Sequence, residues 1–107
     1  MSEIIQHIAR AAGISPILRG AAGAYIRLAD APAFLSKCAE AGVAILGVET
    51  FDLIPEGIRP VMEFIADFSH MRDLPASERS NCSIAAARAF LGNIPDGDRV
   101  IEFEVVP

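Results

Sequence analysis

The spacing of apolar and polar residues changes period several times along the chain, and each change predicts an element. Ile4, Ile5, Ile8 and Ala12 recur at helical spacing behind Ser2, a good N-cap, and Gly13 ends the run, so a first helix is expected over residues 3–12. Ser15-Pro16 breaks the chain, and residues 13–24, rich in glycine and without a period, read as loop. In "AYIRLAD" Tyr25, Arg27 and Ala29 share one parity and Ile26 and Leu28 the other, which predicts a short strand. Asp30 can cap, and Pro32 can open, a helix over residues 31–41 with Phe34, Leu35 and Cys38 as its stripe and Gly42 as its stop.

The stretch "VAILGVETFDLIPEG" is apolar on both parities over its first half, as an inner strand over 43–53 requires, and carries Glu49 and Asp52 on opposite faces of its second half. Pro55-Glu56-Gly57 signals a turn. Residues 58–68 fit two templates. As a helix, Val61, Ile65 and Phe68 form a stripe; as a strand, Met62, Phe64, Ala66 and Phe68 share one face and Val61, Glu63, Ile65 and Asp67 the other. The short connection favours a hairpin and therefore the strand, with Pro60 confined to an edge or a gap in the ladder. Residues 69–74 are polar. Pro75 opens and Gly92-Asn93 with Pro95 closes a helix over 76–91, and "RVIEFEVVP" alternates as a final strand with Glu102 and Glu104 on its solvated side. After the leading helix the order is βαββαβ. This predicts an α+β fold: a mainly antiparallel sheet of about four strands with two helices packed on one face. Residues 1–107 make one domain, in which helix 3–12 and loop 13–24 lead into an αβ core over 25–106.

Composition narrows the function classes. The chain has 107 residues, 52% hydrophobic and 21% charged, which is a globular balance. Its two cysteines, Cys38 and Cys82, lie in Ala-rich helical stretches and are expected as reduced, buried thiols rather than a disulfide framework. The start Met1-Ser2-Glu3 lacks the positive region of a secretory signal, and no run of about 18 apolar residues occurs, so a cytoplasmic protein that does not engage a membrane is expected. Net charge is −5, unevenly spread: residues 40–68 carry six acidic side chains against Arg59 alone, and residues 96–107 carry four against Arg99. Such segments repel nucleic acid and attract a basic partner, or simply keep the chain soluble.

No sequence pattern of a catalytic or nucleotide-binding site is present: GxSxG, CxxC, HExxH, a P-loop and GxGxxG are all missing. Asp67, Ser69 and His70 are sequence neighbours, which does not bring a nucleophile, base and orienter together in space. Glu49 and Glu63 come near each other in a hairpin, but no histidine or third ligand joins them for a metal or an acid–base pair. No enzyme activity, cofactor or metal is therefore expected. Glu49 itself has two readings: a carboxylate paired with Arg59 inside the hairpin, or one that meets a partner. Glu49, Asp52, Glu63 and Asp67 among Phe51, Phe64 and Phe68 make the second reading concrete, since aromatics anchor an interface and carboxylates steer a basic partner to it.

The segment Gly42-Val43-Ala44-Ile45-Leu46-Gly47-Val48-Glu49-Thr50-Phe51 resembles the central motif of the immunity protein 40 family of bacterial polymorphic toxin systems. Tyr25-Ile26-Arg27-Leu28 before the first core helix, Gly57-Ile58-Arg59-Pro60 in the hairpin return, Arg79-Ser80 and Ala87-Arg88-Ala89-Phe90-Leu91 in the long helix, and the closing strand "VIEFEVV" extend the likeness over residues 24–106. The family motif often has Gly-Gly-Asp where this chain has Gly47-Val48-Glu49, and only Glu49 and Phe51 match it closely enough to carry over. The resemblance implies a protein that binds and neutralises a cognate toxin domain. Joined to the charge pattern, it gives an expected contact set of Glu49, Phe51, Asp52, Glu63 and Asp67 against a basic toxin. The alternative is a small αβ domain that self-associates as a homo-oligomer or binds a small ligand.

Overall fold

A computed structural model describes residues 2–19 and 23–107. The expected cap at the Ser2 side chain and positions 20–22 of the expected loop lie outside the described residues. The elements run α1 (Ser2–Ala11), β1 (Ile17–Arg19), β2 (Gly23–Arg27), α2 (Ala31–Ala41), β3 (Ala44–Ile54), β4 (Gly57–Asp67), α3 (Ala76–Leu91) and β5 (Arg99–Val106), with 3-10 turns at Leu28–Asp30 and Ser69–Asp73. The fold is α+β, and the segment expected as strand or helix over 58–68 is strand to Asp67, with Phe68 leading into the 3-10 turn.

The strands form one antiparallel sheet in the order β1-β2-β5-β3-β4. Among the described residues it has five strands rather than four. The extra one, β1, pairs Ile17 with Tyr25 and Leu18 with Ala24 inside the segment expected as loop. Three residues are too few to show a period of two, so only the pairing with β2 reveals the strand. The expected strand at "AYIRLAD" ends at Arg27, and Leu28–Asp30 tightens into a 3-10 turn. Asp30 consequently enters α2 already in helical conformation (φ −91°, ψ −9°) and makes no side-chain cap. At the other end Gly42 takes φ 71° and its N–H closes the helix on Cys38 and Ala39 carbonyls.

All three helices cover the same side of the sheet. Ile5, Ile8, Phe34, Leu35, Cys38, Ile84, Ala87 and Leu91 from the helices meet Ile26, Ile45, Val48, Ile101 and Phe103 from the strands. Phe34 stacks on Phe103 with centroids 4.8 Å apart and planes at 16°. Helix α3 is also bonded to the start of β3 and the residue before it by two buried serines: Ser80 donates its hydroxyl to Val43 O at 2.9 Å, and Ser83 Oγ accepts the Ile45 N–H at 2.9 Å. Burial pushes the Cys38 thiol up to about 12, so it stays neutral, whereas Cys82 lies exposed on α3, contrary to the buried site expected for it.

A bulge sets which residues of β3 face the helices. Ile45 pairs with Val105 but Gly47 pairs with Glu104, leaving Leu46 as the extra residue. The alternation therefore changes phase there. Ile45 and Val48 both join the helix-side core, while Gly47 and Glu49 turn to the opposite face, which separates Ile45 from the parity it shares with Gly47 in a regular strand.

Candidate functional site

The face of the sheet away from the helices divides into two halves. In one half Tyr25, Phe51 and Val100 are buried together, supported by Ile17, Leu53 and Ile58, with Phe51 edge-on to Tyr25 at 5.4 Å. Phe51 is thus part of a second small core.

The other half is acidic, and the register places its residues. Glu102 on β5, Glu49 on β3 and Ile65 on β4 stand side by side in one row across three strands; Glu104, Gly47 and Asp67 form the next. Phe64, Ala66 and Phe68 pack against the helix-side core, so the alternating Ile65 and Asp67 point to this open face, while Glu63 is exposed in the stretch of β4 where the pairing with β3 is irregular. Glu49, Glu63, Asp67 and Glu104 are exposed and Glu102 is half-buried. Ile65 keeps 39% of its surface accessible, one of three large apolar side chains among the described residues left this exposed. Gly47 presents no side chain between them. A Cβ there would come within 3.3 Å of Glu104 Oε1, and the opening forms part of a groove of about 710 Å³ with no lysine or arginine among the described residues that line it.

The electrostatics follow from the pairing. Burial first, and the neighbouring Glu49 charge second, push the Glu102 carboxyl above its ordinary value. Asp67 moves the other way, because Ser69 hydrogen-bonds to it and the His70 charge lies nearby; its Oδ1 accepts the Ser69 N–H at 2.8 Å. That bond anchors the 3-10 turn carrying Ser69 and His70, and His70 is exposed.

Asp52 belongs to the opposite face. It stands in a row between Arg59 on β4 and Arg99 on β5. Arg99 Nε donates to its Oδ1 at 3.0 Å and Arg59 Nη2 to its Oδ2 at 3.3 Å. The hydrogen bond from Arg99, above all, holds the Asp52 carboxyl below the usual aspartate range. Arg99 further donates to Pro95 O and lies over the Phe64 ring at 5.8 Å. The arginine of the hairpin therefore pairs with Asp52, whereas Glu49 faces solvent on the other side.

Of the five residues expected to meet a partner, the structure gathers Glu49 and Asp67 on one face and leaves Glu63 exposed on the irregular part of β4. It puts Phe51 into the second core of that face and Asp52 into an ion triad on the other. Ile65, Glu102 and Glu104 join the cluster. Their signal was present in the strand alternation, which places Ile65 with Glu63 and Asp67 and leaves Glu102 and Glu104 solvated. That β5 lies beside β3 is a tertiary fact.

A second cavity, about 640 Å³, opens between the start of α2 and the end of α3, lined by Leu28, Leu35, Leu91 and Ile94. Arg88 spans its rim, donating to Ser36 Oγ at 2.9 Å and to Pro32 O. Among the described residues no three of His, Cys, Asp or Glu are grouped to hold a metal ion, and no helix is long and apolar enough to cross a membrane. No family model matches the chain, and neither a curated protein nor a solved structure matches it.

Proposed function

We propose that this chain is an immunity-type protein of the bacterial cytoplasm that binds and neutralises a toxin domain without catalysis, and that it does so by laying the open half of its sheet on a basic surface of the toxin. The observation that carries this reading is the acidic face. Glu49, Asp67, Glu102 and Glu104 lie around exposed Ile65 on three paired strands, with no lysine or arginine among the described residues that line the adjoining groove. An apolar centre within a polar rim suits a protein partner, and a field of one sign suits a basic partner through faster encounter and rejection of acidic competitors. The motif likeness over residues 24–106 supports the same conclusion. Within this reading Glu49, Glu63 and Asp67 are contact residues, while Phe51 and Asp52 support the strand that presents Glu49.

Co-expression tests it. The tagged chain is produced with the C-terminal domain encoded immediately upstream of its gene, and both complex formation and rescue of growth are scored. A complex that rescues growth is expected. A folded, toxic upstream domain that the chain neither binds nor neutralises overturns the reading.

A second reading has its own observation. Strand β4 is an 11-residue edge strand without one buried residue, and it exposes Met62 by 75% and Ile65 by 39%. Self-association through that edge predicts a concentration-dependent dimer that responds little to salt. Pro60 and the irregular pairing between Pro60 and Ile65 oppose it, since both interrupt the edge another strand would extend.

A further inference from the structure

We infer that the open sheet face is held in an electrostatically unfavourable state in the free protein, and that its occupant is a basic polypeptide segment whose cationic side chains relieve the opposition of Glu49 and Glu102 while an apolar side chain covers Ile65. The inference rests on the protein-binding reading above and specifies the partner chemistry of that face.

The geometry begins with two like charges in direct cross-strand register. Glu49 and Glu102 are Cα partners on neighbouring inner strands, an arrangement that destabilises a sheet. Among the described residues neither forms an ion pair: Arg59 and Arg99 are committed to Asp52 on the opposite face, and Arg27, exposed on β2 across from Val100 and two residues along from the Glu102 row, is not paired with either carboxylate. Asp67 and Glu104 in the adjoining row and Glu63 on β4 add charge of the same sign. Among the described residues no ion pair answers that repulsion.

Charge complementarity selects the occupant. A second copy laid face to face would set carboxylates against carboxylates, and nucleic acid or an anionic bilayer would meet the same repulsion. A polypeptide segment with arginine or lysine at alternate positions matches the pleat, in which same-face carboxylates such as Glu102 and Glu104 recur every second residue. Exposed Ile65, with Glu49 across from it, supplies the apolar contact such a segment needs.

The prediction is a pair of effects with opposite signs. Glu102→Gln should raise the thermal midpoint of the free protein at pH 7 and low salt, yet weaken binding. The probe is a capped eight-residue peptide alternating arginine and leucine, with a glutamine-for-arginine peptide as control, followed by amide chemical shifts. Saturable shifts are expected at residues 47–49, 65–67 and 102–104, with affinity falling about fivefold or more in Glu49→Gln and Glu102→Gln. Glu40→Gln, on helix α2, should leave affinity unchanged. Shifts elsewhere, equal loss in the Glu40→Gln control, no saturable binding, or a lowered midpoint in Glu102→Gln would each overturn the inference. Both Gln variants are then tested against the co-expressed upstream domain. If that domain binds the parent chain and the two variants equally, the immunity reading stands and this face is not the interface; if it binds none of them, the immunity reading fails as well.

Discussion

Two buried hydroxyls on the helix side of the sheet have opposite consequences for stability. Ser83 Oγ accepts the Ile45 N–H and donates to Ser80 O at 3.1 Å, so it satisfies a backbone group next to the bulge in β3. Thr50, on the same strand, is fully buried, and its Oγ1 has no hydrogen-bond partner. Removing a hydroxyl that satisfies a buried donor exposes the full desolvation cost of that donor, whereas removing one that satisfies nothing relieves a cost. Ser83→Ala should therefore destabilise the protein by about 1–3 kcal/mol, and Thr50→Val should stabilise it by about 1 kcal/mol. Urea unfolding of the two variants checks both signs at once. Ser83 could not be distinguished in the sequence from any other helical serine, because its partner is 38 residues away.

Elements here are delimited by backbone chemistry that the chain displays openly. Gly42 takes φ 71°, the left-handed conformation that an L residue adopts only at a cost, and a Cβ at this position would meet nothing within 4 Å. The whole effect of Gly42→Ala is thus backbone strain, with an expected loss of about 1 kcal/mol and an unchanged denaturant slope. That stop, the Pro75 start of α3 and the Pro-Glu-Gly turn between β3 and β4 were all legible as local signals. Strand β1 was not, since a three-residue element has no period to read. The bulge at Leu46 was equally hidden: Gly47 and Leu46 look regular in the strand pattern, and only the shift of partner from Val105 to Glu104 shows the change of phase. Because of it Ile45 and Glu49, which share a parity in the sequence, lie on opposite faces.

The ionisable groups of the whole molecule make opposing demands on pH. Asp52 and Asp67 have carboxyls lowered from 3.8 by their hydrogen bonds, so the stability they contribute is present above that value and lost as pH falls through their folded pKa values. Glu102 is raised from 4.5 by burial and by Glu49, so its ionisation opposes folding; that cost is absent at low pH and sets in as pH rises from 4.5 through its folded value. Stability should therefore climb out of strong acid and then decline as pH rises from 4.5 through the folded value of Glu102. Thermal unfolding across pH tests this, with Glu102→Gln expected to flatten the decline and Asp52→Asn expected to weaken the acid-side rise. A flat profile in the parent chain would show that these three groups do not govern its stability.

The sequence by itself determined the fold class, the three main helices, the β3–β4 hairpin and the concentration of acid in two segments, because caps, turns and periodicity act over a few residues. It also placed Ile65 and Asp67 on one strand face, and Glu102 and Glu104 on another. Only the tertiary structure decided that β5 enters the middle of the sheet between β2 and β3, and this brings Glu102 against Glu49 and Arg99 against Asp52. Strand order is chosen by how α2 and α3 pack their apolar faces over the sheet, a contest among contacts tens of residues apart. Local patterning can show which face of a strand is polar. Which strands then stand side by side, and so whether their carboxylates form one surface or several, depends on the packing of the whole chain.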